Sequence, residues 1–197
     1  TTNALPERRT RYGGGYVSLP SGSETAVWWA ERIDKVIAYE ATRYHVYRPI
    51  SVSSWPTLDP LHHPTEGSGA SEDLEELDLA NLDTTGFPAG YFASYHAYPY
   101  YPDWMSEDPA YTGERDAWGP NSYLGYLKTL RAHYHPKPLV IGEVGVPSSW
   151  GNAHFAHSGM SHGGQDEVQQ GKDDVRLFHN AYDAGTGGAI LFAWIDE

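Results

Sequence analysis

The order of apolar and polar positions divides the chain into strand-length apolar runs and longer stretches with helical spacing. The sharpest run is Leu139-Val140-Ile141, with Pro138 before it and Gly142 and Glu143 after it. A short continuous apolar run is the pattern of a strand buried on both faces, as in a parallel sheet. Gly145 and Pro147 then open a loop. Three further runs read as strands, at about 50–54, 91–96 and 189–194. Helical spacing lies between them. Ile33, Ile37, Ala41 and Tyr44 share one face of a helix over about 24–47, which Ser21 or Ser23 can cap and Arg48-Pro49 ends. Tyr123, Leu127, Leu130 and Tyr134 repeat the spacing behind an Asn121 cap. Val175, Phe178 and Tyr182 do so within about 166–184, where Gly185, Gly187 and Gly188 stop the helix. Residues 1–23, 61–83, 103–120 and 150–165 read as loops. The second of these is acidic, with His62 and His63 among its carboxylates, and reads as a solvated segment.

Strands alternating with helices predict an α/β fold of parallel βα units, with the four strands neighbouring in chain order. Each strand ends in a polar or aromatic residue: Trp55, then His96 with Tyr98, then Glu143, then Trp194. Barrels of this class build their sites at that end of the sheet. A carboxylate there is badly placed for stability and well placed for chemistry. Two readings of Glu143 therefore stand: a reactive group, or a group paired with a buried Arg or capping the next helix. Trp55 is either a platform for a sugar or a plug in the sheet's mouth, and the other aromatics have barrel packing as their alternative.

Length and composition narrow the partner. The chain has 197 residues, which suggests a single domain over 1–197. A formal charge of −13 argues against nucleic acid or an anionic membrane surface, and not against a neutral sugar. There is no cysteine, which excludes disulfides and thiolate metal sites. No apolar run is long enough to span a bilayer, and the expectation from these residues is no signal peptide. Seven Trp and fifteen Tyr make the chain rich in aromatics, many of them beside Pro and Gly where packing does not demand them. Thr1 is not an initiator Met, and Glu197 directly follows an apolar run; the expectation is a piece of a longer protein.

From about Arg48 to Glu197 the chain resembles the C-terminal half of a clan A retaining glycoside hydrolase, strands five to eight of a (β/α)8 TIM barrel. Ile141-Gly142-Glu143-Val144-Gly145 resembles the seventh strand, His96-Ala97-Tyr98 the sixth and Phe192-Ala193-Trp194 the eighth. The resemblance implies Glu143 as nucleophile, with Tyr98 or Tyr95 hydrogen-bonded to it. It implies that His96, Trp194 and Trp55 contact a carbohydrate substrate, and that no cofactor or metal is needed. It further implies a cis bond at Trp194–Ile195. The chain departs from that pattern in one respect. No Asn-Glu pair on a strand precedes the first helix, so the acid/base Glu is expected upstream of Thr1, in a missing N-terminal half. Retaining hydrolysis needs two carboxyl groups about 5 Å apart, so this chain alone is expected to be inactive. Two rivals remain. His154, His157 and His162 in one loop suggest a metal-dependent hydrolase, although this loop is full of Gly, Ser and Asn and no carboxylate–His pair sits on a strand end in the fashion of barrel metalloenzymes. A barrel that keeps an aromatic cleft without the chemistry would be a non-catalytic carbohydrate-binding or scaffold protein.

Overall fold

A computed structural model describes residues 8–65 and 76–193. In chain order the elements are β1 (Tyr12–Gly13), β2 (Ser18–Leu19), α1 (Glu24–Tyr44), β3 (Ser53–Ser54), β4 (Ala93–His96), α2 (Trp104–Glu107), α3 (Pro109–Thr112), β5 (Arg115–Asp116), β6 (Gly119–Pro120), α4 (Ser122–Tyr134), β7 (Leu139–Val144), β8 (Ser149–Asn152), β9 (Gly163–Gln165), α5 (Glu167–Asp183) and β10 (Gly188–Leu191). The centre is a four-stranded sheet in the order β3-β4-β7-β10, with every neighbouring pair parallel. This is the expected set of strands in the expected order. The outer strands are shorter than their apolar runs. Ile50 meets Tyr91 only through an isolated bridge before the β3 ladder begins at Ser53. No helix among the described residues is long and apolar enough to cross a membrane.

The helices begin where their caps put them. Ser23 Oγ accepts the Ala26 N–H at 3.1 Å and Glu24 adds an acid to the first turn of α1. Asn121 does the same for α4 through Leu124, and Asp166 for α5 through Gln169. Helix α1 buries Ala26, Ala30, Ile33 and Ile37. The expected face ran on to Tyr44, but Tyr44 is exposed and packs edge-on against Tyr39 at the surface. The helix also ends at Tyr44 rather than Tyr47, because His45 turns the chain in a left-handed conformation at φ 56°. Helix α4 lies under the sheet, with Tyr123, Leu127, Leu130 and Tyr134 all buried as their spacing predicts.

Helix α5 covers the expected stretch, Glu167–Asp183, but its apolar face is not its buried face. Val175, Phe178 and Tyr182 do form a stripe, but it faces outward, 55%, 42% and 82% exposed. The inner face is Asp173, Arg176, Leu177, Asn180 and Ala181. A polar network fixes this rotation. Arg176 donates from Nε to Asp116 Oδ2 at 2.7 Å and from Nη2 to Asp116 Oδ1 at 3.0 Å, and Asn180 donates to Asp116 Oδ2 at 3.0 Å. Two forked contacts to one buried carboxylate outrank an apolar stripe that has no partner surface.

The loops are also more ordered than their composition suggests. Residues 103–120 hold two short helices and the β5–β6 hairpin, and 150–165 hold most of the β8–β9 hairpin. The acidic segment is described on either side of 66–75. His63 is buried there, not solvated. Its Nε2 lies 3.0 Å from Asp59 Oδ1, its Nδ1 3.1 Å from the Tyr111 hydroxyl, and its ring stacks on Trp104 at 3.5 Å. Each polar atom of the ring is satisfied, which makes this burial tolerable.

Candidate functional site at the end of the central strands

Strand β7 carries an irregularity that both neighbours register. Against β4, Tyr95 pairs with Ile141 and His96 with Glu143. Against β10, Ala189 pairs with Ile141 and Leu191 with Val144. On each side β7 has one residue more than its partner. It is a bulge at Gly142–Glu143. The burial pattern agrees: Leu139, Ile141 and Val144 are buried, while Gly142 and Glu143 are consecutive and both half-exposed. Bulges beside functional sites re-aim a side chain. Here the bulge turns Glu143 away from the helix layer that covers Ile141 and Val144.

Glycines make room for this. A Cβ on Gly142 would stand 2.7 Å from Ser94 Oγ and 3.4 Å from His96 Cδ2. A Cβ on Gly145 would stand 2.6 Å from the Phe192 carbonyl oxygen. Strand β7 can therefore lie close to both neighbours only with glycine at these two positions.

The Glu143 carboxylate is held by two groups. Tyr98 donates its O–H to Oε2 at 2.8 Å, and His96 Nδ1 lies 3.3 Å from Oε1. The glutamate and histidine side chains are 27% and 31% exposed, enough for a ligand to reach both. A pocket of about 220 Å³ opens over them, lined also by Trp55, Thr57 and Tyr101. That is below the roughly 300–1,000 Å³ of drug-sized sites and suits one ring-sized unit. Trp55 is 43% exposed and presents its indole to this space.

The structure thus brings together Glu143, His96, Tyr98 and Trp55. Tyr95 does not join them. It is 1% exposed, and its hydroxyl meets that of Tyr134 on α4 at 2.9 Å. It lies on the helix side of β4, where burial drives its pKa well above that of a free phenol. Of the two tyrosines proposed as partners of Glu143, the structure selects Tyr98. Trp194 and the Trp194–Ile195 bond lie outside the described residues; a non-proline cis peptide is present at Phe192–Ala193. Sequence reasoning missed Tyr101 and Thr57 as lining residues. The Pro-Tyr-Tyr-Pro run around Tyr101 was a usable signal; Thr57 had none.

The histidine loop builds something other than a ligand set. His154 and His162 stack at 5.8 Å, His154 Nδ1 lies 3.3 Å from Asp103 Oδ1, and His157 bonds through its backbone to Ser106 Oγ. Burial first, and His154 second, lower the pKa of His162 and favour its neutral form. Among the described residues no group of three or more His, Asp or Glu side chains is placed to hold a metal ion. Glu143 is also the one carboxylate lining the pocket among those residues. Such an arrangement can present a carboxylate oxygen, held by Tyr98, to an electrophilic carbon in a pocket that Trp55 also lines. No protein-family model matches the chain, and no curated protein or solved structure is similar to it.

Proposed function

We propose that this chain carries the nucleophile side of a retaining glycoside hydrolase, with β3, β4, β7 and β10 as later strands of a (β/α)8 barrel. The observation that supports this best is the β7 bulge. It interrupts regular pairing in a central strand and turns one carboxylate into a pocket, beside the Tyr98 hydroxyl that donates to it and the His96 ring. In the reaction, a Glu143 oxygen attacks the anomeric carbon while the bond to the leaving oxygen breaks. The leaving oxygen takes a proton from a general acid supplied from outside the described residues. Water then cleaves the glycosyl ester and frees Glu143. Tyr98 and His96 flank the two carboxylate oxygens and fix the orientation of the group, and Trp55 offers an apolar face to sugar C–H groups. The charge of −13 fits a neutral sugar.

Dinitrophenyl fluoroglycosides test this without the general acid. Their leaving group departs unprotonated, and the fluorine slows release of the ester, so the nucleophile stays labelled. A panel of gluco, manno, galacto and xylo reagents should label the Glu143 peptide in mass spectrometry. Glu143→Gln should not be labelled. Label on another residue, or undiminished label in Glu143→Gln, would refute the assignment. Sugar binding without any label would favour the non-catalytic carbohydrate-binding protein.

A further inference from the structure

The Glu143 pocket does not end at Glu143. Tyr98 lines both that pocket and a second of about 600 Å³, which also contains Tyr100, His162 and Gln170. Ser148 lines this second space and a third of about 440 Å³ that contains Trp150, Asp166 and Glu167. Neighbouring spaces share a lining residue, Tyr98 and then Ser148, so the three lie in a row from Trp55 past Glu143 to Trp150. The floor near the middle is aromatic: Tyr98 and Tyr100 rings are 5.6 Å apart, and Tyr100 stacks on His162 at 4.3 Å and 8°.

Trp150 is the most conspicuous residue at the far end. It is fully exposed, on β8 of the β8–β9 hairpin. A tryptophan left in water forgoes the stability its burial would give. The hairpin that carries it is nevertheless firmly built. Ser149 Oγ bonds the Gly151 carbonyl at 2.7 Å, and Gln165 Nε2 donates to the Pro147 carbonyl at 3.0 Å. Gly163 sits at φ +96°, where a Cβ would strike Ser149 Oγ and the Gly151 carbonyl. A rigid mount for an exposed indole is the design of a binding platform, since little ordering is lost on contact.

Building on the glycosidase reading, we propose that these spaces act as one groove that binds a linear, neutral glycan across several units, with Trp150 as a distal platform, so that cleavage is internal to a chain. Asp166 and Glu167 at the far end, together with the net charge, exclude polyuronic or sulfated chains.

Calorimetry on this chain tests it with cellohexaose, mannohexaose, xylohexaose and laminarihexaose, each beside its disaccharide. One hexasaccharide should bind at least about 30-fold tighter than its disaccharide. Trp150→Ala should weaken that hexasaccharide about tenfold, the equivalent of ~1.4 kcal/mol. It should leave the disaccharide and Tm unchanged, and Trp150→Phe should recover part of the loss. Equal affinity for long and short sugars, or a hexasaccharide indifferent to Trp150→Ala, overturns the groove. If the disaccharide still binds and Trp55→Ala still weakens it, the glycosidase reading survives that result. If no sugar of either length binds, both fall, and Trp150 is left as a contact for another protein.

Discussion

Gly142→Ala is the perturbation that connects the packing of the sheet to the site most directly. The new methyl would stand 2.7 Å from Ser94 Oγ and 3.4 Å from His96 Cδ2. Ser94 is 6% exposed, so its oxygen has little room to retreat. Overpacking of this kind costs about 1–3 kcal/mol. At about 2–4 °C per kcal/mol for a chain of this length, Tm should fall by roughly 2–12 °C. The strand must also move from β4 or tilt the His96 ring, which opens the 3.3 Å contact to Glu143. A full 1 Å misplacement costs about 100-fold in rate, so a shift of a few tenths should slow Glu143 labelling on the order of several-fold. Ser94→Ala removes the nearer obstacle. The double variant should therefore be more stable than the sum of the two single losses, with a favourable coupling of about 0.5–2 kcal/mol. Calorimetric Tm values and labelling rates for wild type, both single variants and the double variant complete the cycle. A Gly142→Ala protein with unchanged Tm and labelling, or a cycle without coupling, would refute the close approach of β7 to β4.

Arg176→Met should destabilise by about 3–5 kcal/mol in denaturant melts, because it leaves the Asp116 charge buried without its cation. Burial alone would raise the pKa of Asp116, but hydrogen bonds from Arg176, Asn180, Asn121 and the Trp118 amide outweigh it and hold it well below the ordinary carboxylate value. A depressed folded pKa gives stability that is complete above the unfolded value of about 3.9 and is lost as pH falls towards the folded one. Melts below pH 4 should show this slope in wild type and a shallower one in Asp116→Asn. Trp55→Ala should weaken disaccharide binding about tenfold with no change in Tm, since the side chain is 43% exposed; a large Tm loss would mean it is a packing plug. Phe178 and Tyr182 on α5 and Ile190 and Leu191 on β10 are exposed apolar side chains, and among the described residues β10 is an outer strand of the sheet. Sedimentation should show concentration-dependent self-association that Phe178→Glu with Ile190→Lys reduces; a monomer at all concentrations would count against it.

The parallel sheet was legible because strand-length runs alternate with stretches of helical spacing. Leu139-Val140-Ile141 has no polar interruption, and Ser23, Asn121 and Asp166 each accept from the amide expected of a cap. The orientation of α5 was not legible. Its apolar stripe obeys helical spacing, but the deciding partner of Arg176 is Asp116, 60 residues earlier in the chain. Local periodicity carries no information about such a pair. The same holds for His63, whose burial depends on Asp59 nearby but also on Tyr111 and Trp104 from short helices that composition did not announce.

At the site, the residue types were legible and one decisive geometric fact was not. Strict alternation along β7 puts Leu139, Ile141 and Glu143 on a single face, which is the face packed against the helices. By that rule Glu143 should have pointed into the core, beside Tyr95. The bulge reverses it: after Gly142 the parity changes, Val144 takes the buried position, and Glu143 joins His96 and Tyr98. A bulge needs an extra residue that both neighbouring strands can accommodate, and Gly142 supplies it, since any Cβ there would meet Ser94. The Gly-Glu pair was therefore visible in the sequence, while its effect on direction lay in the register between three strands. Regular pairing of β7 with both neighbours would have been the simpler arrangement for stability. The departure from it falls at the one carboxylate lining the pocket among the described residues, and a purely structural role for Glu143 leaves that coincidence without a cause.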